Sequence, residues 1–276
     1  MKKIMQKIKM IVTDLDNTLL RTDKTISDYT AGILNKCRQN SIKIAFATAR
    51  PKRAVLHLFE KIPVDFFIIH NGAVIYSDGR QVFHSGIASD VTKNILNSIN
   101  LDFPEASLSV EIDDVFYANF EVSSAWNGAE AIYMDFFDLH KISECLPDKP
   151  AEKIIMGTSS VNMSSAKDIQ FFDKYLPDDL YMELTCTDNN ILKLIMIMNR
   201  KAKKSLAVKF LAEHYGYDIS EIVAFGDDYN DIEMIKECGI GVAVSNAIDE
   251  AKAVADYICG SNDDDGVAKW IDGNLL

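Results

Sequence analysis

The chain has 276 residues, 48% of them hydrophobic, and carries a formal charge of −12 with a pI near 4.9. That length admits one large α/β unit or two domains, and that apolar content builds a full core, which excludes disorder as the default. The acidic balance, with no Lys/Arg-rich stripe beyond two short clusters, excludes an electrostatic nucleic-acid binder.

Five cysteines, Cys37, Cys145, Cys186, Cys238 and Cys259, are scattered with no C-x-x-C spacing and read as reduced thiols. The basic stretch Met1–Lys9 runs into only Met10-Ile11-Val12 before Asp14, too short for a signal peptide. No apolar run approaches the roughly 20 residues of a membrane span. The expectation is a soluble cytoplasmic protein with no membrane or nucleic-acid partner and no obligate protein partner.

In chain order, Lys9–Thr13 reads as a buried strand that ends where acidic residues begin. Ser27 is the expected N-cap of a helix to Gln39, with Ile33, Leu34 and Cys37 on one face. Ile42–Thr48 is a second strand, and Pro51 suits the first position of a helix over Lys52–Lys61. Phe66–Ile69 is a third strand, followed by the turn dipeptide Asn71-Gly72. Val74–Tyr76 and Gln81–His84 form a hairpin around Asp78-Gly79. Alternating strands and helices imply a parallel sheet.

The middle of the chain differs. Helices are predicted near Ala88–Ile99, Ala125–Leu139 and Ser165–Tyr175, between strand-like runs at Leu108–Ile112, Val115–Phe120, Lys153–Thr158 and Tyr181–Thr185. This is an α+β pattern. Leu194–Met198 is a further strand whose Met196 and Met198 read as core. The parallel rhythm then returns with helix Lys203–Tyr215, strand Ile222–Phe225, helix Asp228–Glu237, strand Ile240–Val244 and helix Ala247–Ala255. The simplest organisation is an α/β core, residues 1–83 plus 191–276, interrupted by an α+β unit over 84–190.

In open α/β sheets ligands bind beyond the carboxyl ends of the strands. There the first strand presents Asp14 and Asp16, the second Thr48, and a later one Asp227 and Asp231. Residues two apart in an extended segment point to one side, and residues four apart at a helix start share a face. Four converging carboxylates repel, and a hard divalent cation such as Mg²⁺, which prefers oxygen ligands, resolves that conflict. The acidic run Asp263-Asp264-Asp265-Gly266 lacks the alternating spacing of a calcium loop and reads as a solvated loop and helix cap. His70 reads as structural.

Asp14-Leu15-Asp16-Asn17-Thr18-Leu19 resembles the nucleophile motif D-x-D-x-T-L of the haloacid dehalogenase superfamily. Thr48 in Phe46-Ala47-Thr48-Ala49-Arg50-Pro51 resembles its second motif, a lysine at the start of the Lys203–Tyr215 helix its third, and Gly226-Asp227-Asp228-Tyr229-Asn230-Asp231 its fourth. Gly241–Ala247 and Asp265-Gly266-Val267-Ala268 are similar to the ending of the Cof-like subfamily. The resemblance implies a Rossmann-like core with a parallel sheet and an inserted type IIB α+β cap. It also implies a Mg²⁺-dependent phosphatase acting on small phosphorylated metabolites such as sugar phosphates, nucleotides or flavin mononucleotide.

On that resemblance Asp14 is the nucleophile, Asp16 the general acid and base, and Thr48 and a lysine hold the phosphoryl oxygens. Aligning Leu211-Ala212-Glu213-His214 with the family's usual ending favours Lys204 over Lys203 and Lys201. The metal falls to Asp14, the backbone carbonyl of Asp16, Asp227 and a supporting Asp231. Ala49, Asn71 and Asn230 are substrate-side candidates. Asn17 and Ala49 stand where glycine is common in the family, and Leu194–Met198 lacks its usual Glu and following Pro. A phosphotransferase or mutase on the same site, and a non-catalytic phospho-ligand-binding protein, remain alternatives.

Overall fold

A computed structural model describes residues 8–56, 58, 62, 64–120, 139–142, 146–157, 176–186 and 193–276. The apolar run Met10–Thr13 forms strand β1, fully buried because both faces of the sheet are covered. It pairs in parallel with β2 (Lys43–Ala47) on one side and with β12 (Ile222–Gly226) on the other. Outward from β2 lie β3 (Phe66–Ile69), parallel, and the antiparallel hairpin β4 (Val74–Ser77) and β5 (Arg80–His84). Outward from β12 lie β13 (Ile240–Ala243) and β14 (Tyr257–Ile258), both parallel. The sheet thus runs β14-β13-β12-β1-β2-β3-β4-β5.

One sheet face is lined by Met10, Val12, Ala45, Ala47, Ile68 and Ala224. It packs against Ala207, Val208 and Leu211 of helix α3 (Lys204–Tyr215) and Met234 of α4 (Ile232–Glu237). On α1 (Asp28–Gln39), Ile33, Leu34 and Cys37 are buried as the periodicity predicts, and Ser27 accepts the Thr30 N–H at 3.0 Å as N-cap. The hydroxyl of Ser27 also donates to Asp265 Oδ1 at 2.7 Å, beside the start of α6 (Gly266–Asn274), a helix whose cap, but not whose span, is legible in the sequence. Trp270 of α6 meets Phe225 edge-on at 5.4 Å.

The chain divides into two units. The first takes in residues up to 51, 55–84 and 202–276; the second takes in 52–54 and 85–201. The second unit contains α2 (Ser89–Asp102), β6 (Ser107–Ile112), β7 (Val115–Ala118), β8 (Leu139–Lys141), β9 (Lys153–Gly157), β10 (Leu180–Cys186) and β11 (Lys193–Asn199). Its sheet runs β10-β11-β9-β6-β7-β8, mostly antiparallel. Ile95, Leu96 and Ile99 of α2 pack on Val110, Ile154 and Ile197.

Four expectations meet a different structure. Residues 193–199, expected in the core from 191 onward, pair with β9 and β10 in the second sheet, so the first unit resumes at Ala202. A continuous apolar run such as Leu194–Met198 suits any two-sided buried strand, and only pairing decides the sheet. The helix expected over Lys52–Lys61 is a short turn at Lys52–Ala54, with residues 57 and 59–61 outside the described set. The Asp228–Glu237 helix splits into a turn at Tyr229–Asp231 followed by α4. The last predicted helix shortens to α5 (Asp249–Val254). The helices predicted over Ala125–Leu139 and Ser165–Tyr175 lie outside the described residues, apart from Leu139, which belongs to β8.

Replacing Ser27 by Ala removes the N-cap of α1 and its bond to Asp265. A loss of about 1–2 kcal/mol in unfolding free energy is expected from chemical denaturation.

Candidate active site

Strand order reverses its direction of growth at β1: β2 lies on one side of it and β12 on the other. Ligand crevices form at such switch points, and here the carboxyl ends of β1, β12 and β2 carry Asp14, Asp227 and Thr48.

After Asp14 the chain turns at once into a single wide turn over Leu15–Leu19, closed by the Leu20 N–H on Leu15 O at 2.7 Å. The turn requires a left-handed residue at Asn17, φ 54°. Asn tolerates that conformation, which explains how it replaces the family's glycine. Asn246 Nδ2 holds the Asn17 carbonyl at 2.7 Å. Asp14 is buried, and its N–H donates to Phe225 O at 3.0 Å, tying the end of β1 to β12.

Lys204, at the first turn of α3, is buried and donates to Asp14 Oδ1 at 2.7 Å and to Asp231 Oδ1 at 2.8 Å. Lys203 points elsewhere: its Nζ reaches Glu233 at 2.8 Å, and its side chain is 38% exposed. Asp231 also accepts from the backbone N–H of Asp227 at 3.1 Å and of Asp228 at 3.3 Å through Oδ2. It thereby ties down the loop after β12. Gly226 is required by this approach, since a Cβ there would sit 2.5 Å from the Asp231 side chain. Thr18 donates to Asp227 Oδ1 at 2.5 Å, linking the first and fourth motifs.

Thr48 is buried behind β2, and its Oγ1 accepts the Arg50 N–H at 3.2 Å. His70, Asn71 and Gly72 adopt three consecutive positive φ angles, 49°, 57° and 105°. The turn they make brings Asn71 N–H to Thr48 O at 3.0 Å and seats Gly72 against the backbone of Lys203, where a Cβ would lie 2.5 Å from the carbonyl oxygen. Asn71 Oδ1 accepts from Asn230 Nδ2 at 3.0 Å. Two hydrogen-bonded groups result, Asp14–Lys204–Asp231 and Thr48–Asn71–Asn230, and the adjacency of Asn230 and Asp231 in the chain joins them. Ala49 lies on the short loop between Thr48 and Arg50.

Asp16 stands apart from the other acids. Arg50 grips its carboxylate through Nε at 2.6 Å and Nη2 at 2.5 Å, and Lys24 adds a third donor at 3.0 Å. Sequence reasoning quoted Arg50 within the second motif but gave it no role, and it passed over Lys24 and Thr18. The signal available for Arg50 was a cation two residues after the motif Thr.

The electrostatics separate the two acids of the first motif. Burial pushes the Asp14 carboxyl well above the usual carboxylate range. Lys204 opposes this, while Asp231, Asp227 and Asp16 add to it. At Asp16 burial also raises the carboxyl, but the hydrogen bonds and charge of Arg50, joined by Lys24, outweigh it, and the group lies below its ordinary value. Asp227 is pushed up to about 7 by burial and then by Asp231, against the Thr18 hydrogen bond and Lys204. Burial pulls the Lys204 ammonium down, yet the charges and hydrogen bonds of Asp14 and Asp231 hold it above its ordinary value.

Asp14, Asp227 and Asp231 each offer a carboxylate oxygen, and these lie within 4.8 Å of one another. An all-oxygen acidic set suits a hard divalent cation. The Asp16 side chain is not in this group, and the expectation for Asp16 concerned its backbone carbonyl.

The sequence profile of the haloacid dehalogenase-like hydrolases matches residues 11–271. The chain belongs to that family. Among relatives, the 5-amino-6-(5-phospho-D-ribitylamino)uracil phosphatase YitU of Bacillus subtilis (strain 168) is 26% identical over 268 residues, covering 95% of this chain and 96% of that protein. The pyridoxal phosphate phosphatase YbhA of Escherichia coli (strain K12) is 24% identical over 272 residues, covering 97% and 99%. A solved haloacid dehalogenase-like hydrolase from B. subtilis shares the fold with a TM-score of 0.80 at 24% identity, covering 98% of this chain and 100% of that one. The expected family and its hydrolase class, and the α/β core fold, are borne out. Among the described residues no helix is long and apolar enough to cross a membrane.

The raised Asp227 carboxyl has a definite sign in solution. With its carboxyl pushed up to about 7, Asp227 is expected to hold a proton below that pH in the cation-free protein, and a divalent cation ligated by it would displace that proton. Through this group, affinity for Mn²⁺ is expected to fall by up to about tenfold per unit as pH drops below 7, and to flatten above it; isothermal titration calorimetry reads this. Because the folded state binds this proton more tightly than the unfolded one, the group's contribution to cation-free stability declines as pH rises from about 4 to 7.

Proposed function

We propose that the chain is a Mg²⁺-dependent phosphatase that hydrolyses phosphate monoesters of small metabolites through an aspartyl-phosphate on Asp14. The observation that carries this reading is the buried Asp14 carboxylate at the switch point, bonded to the Lys204 ammonium and flanked by Asp227 and Asp231. A phosphoryl group placed beside Asp14 meets a nucleophilic oxygen and a cation that offsets charge on its own oxygens. The family profile and the phosphatase relatives support the same class.

In the first step an Asp14 oxygen attacks phosphorus as the ester P–O bond breaks, and the departing oxygen takes a proton from the carboxylic-acid form of Asp16, the minor form of a group that Arg50 and Lys24 hold below its ordinary value. In the second, water attacks the phosphoryl group, Asp16 takes a proton from that water, and inorganic phosphate leaves Asp14 as free carboxylate. Thr48 and Lys204 hold the phosphoryl oxygens, with Thr48 Oγ1 fixed by the Arg50 N–H. Asn71, Asn230 and Ala49 border the substrate side. Asp14, Asp227 and the Asp16 carbonyl would hold Mg²⁺, with Asp231 supporting; the ion supplies electrostatic relief between phosphate and carboxylates. The second unit is assigned as the cap that selects the ester. Phosphorylated metabolites of the size handled by the relatives, a ribitylaminouracil phosphate or pyridoxal phosphate, are the substrate class.

Phosphate release from p-nitrophenyl phosphate and a panel of phosphorylated metabolites tests this. Release should require Mg²⁺, stop with EDTA, and fall at least about 10³-fold in Asp14→Asn, the scale on which loss of a nucleophile acts. Activity persisting in Asp14→Asn sinks the assignment of the nucleophile. Phosphate appearing only when an acceptor alcohol is supplied would identify a phosphotransferase instead.

A further inference from the structure

Asp16 and Asp14 are two residues apart, yet Asp14 is bound by Lys204 inside the acid cluster, whereas Asp16 is turned to a separate cation. The geometry points to Arg50 as a positioning residue that fixes the direction in which the Asp16 carboxylate presents its oxygens to the leaving group. This inference rests on the acid–base role proposed for Asp16.

Three observations carry it. First, the contact is a two-point fork: Nε meets Oδ2 at 2.6 Å and Nη2 meets Oδ1 at 2.5 Å. Two parallel bonds between planar groups define the plane of a carboxylate, which a single ammonium cannot do. Lys24, whose ammonium donates to Oδ1 at 3.0 Å, adds charge without the planar geometry of a guanidinium.

Second, Arg50 is itself immobilised. It is buried, its N–H is bound to Thr48 Oγ1 at 3.2 Å, and its carbonyl accepts the His70 N–H at 3.1 Å. His70 opens the left-handed turn that also holds Thr48 O through Asn71 N–H. The loop that positions the phosphate-binding hydroxyl thus also positions the guanidinium, so the two share one rigid reference.

Third, Asp16 needs such a hold. It lies on the wide turn after β1, outside any strand or regular helix, and its side chain is 32% exposed. The fork fixes the plane of this partly exposed carboxylate, and a general acid misdirected by an ångström loses much of its effect.

Leaving-group dependence separates aim from mere stability. An aryl ester such as p-nitrophenyl phosphate departs as a stable phenolate and needs little proton transfer, whereas an alkyl ester such as glycerol 3-phosphate needs a proton on its leaving oxygen. The experiment measures kcat/KM, which reports formation of the phosphoenzyme, for both esters in wild type, Asp16→Asn, Arg50→Lys and the double variant. Folding is checked by thermal melts. Asp16→Asn should lower the alkyl ester about 10²-fold or more relative to the aryl ester. Arg50→Lys, which keeps the charge but loses the fork, should shift the ratio at least about tenfold in the same direction, and the double variant should go no further than Asp16→Asn alone.

If Asp16→Asn leaves the ratio unchanged, the acid role of Asp16 fails and the inference falls with it. If Asp16→Asn moves the ratio but Arg50→Lys lowers both esters equally, or if the two changes multiply in the double variant, the assignment of Arg50 is overturned while the acid role stands. Should Arg50→Lys not fold, Arg50→Gln, which retains length and a donor without the fork, is read against the same outcomes.

Discussion

The structure depends on how a buried concentration of negative charge is kept in place. Asp14, Asp227 and Asp231 put carboxylate oxygens within 4.8 Å of one another at the end of a parallel sheet. Without compensation such a group would be driven to protonate or to spread apart. Lys204 prevents this by bonding two of the three acids from the start of α3. A buried ammonium with two carboxylate partners is costly to disrupt from either side, because removing one partner strands the others out of water. The remaining deficit of positive charge is what a divalent cation is suited to supply.

The backbone around the cluster is shaped by the same demand. Asn17, His70 and Asn71 accept left-handed conformations that are uncommon outside glycine. Gly72 and Gly226 allow contacts that any side chain would block. Each of these positions brings one motif against another: Gly72 against the residue before Lys204, Gly226 against Asp231, and the Leu15–Leu19 turn carrying Thr18 to Asp227. Local strain of this kind persists only where surrounding contacts hold it, and it gathers at sites where groups must be placed closely.

Two carboxylates separated by a single residue acquire opposite properties through this arrangement. Asp14, in the acid cluster, is pushed up by burial and by its acidic neighbours. Asp16, on the turn after β1, is held down by a guanidinium and an ammonium against the partial desolvation that would raise it. Environments that drive a pair of titratable groups apart are how one site assigns distinct roles to like residues.

The sequence by itself determined the α/β class and the order of most core elements, because buried strands, N-caps and turn dipeptides leave local periodic signals. Ser27, Asp78-Gly79 and the run Met10–Thr13 are examples. It also placed Asp14, Thr48, Asp227 and Asp231 at strand ends, since strand-to-loop transitions are local. The structure brings all four to one end of the core. Other features were decided only by tertiary structure. Leu194–Met198 joins the second sheet because strand partners are chosen across the chain, and an apolar run carries no label for its partner. The family alignment favours Lys204 over its chemically identical neighbour Lys203, but their contacts follow from the register of α3, which sends one to solvent-side Glu233 and the other to Asp14. Arg50 lies 34 residues from Asp16 in sequence. Their meeting is a product of β1 and β2 lying side by side, and only the folded sheet makes those two strands neighbours.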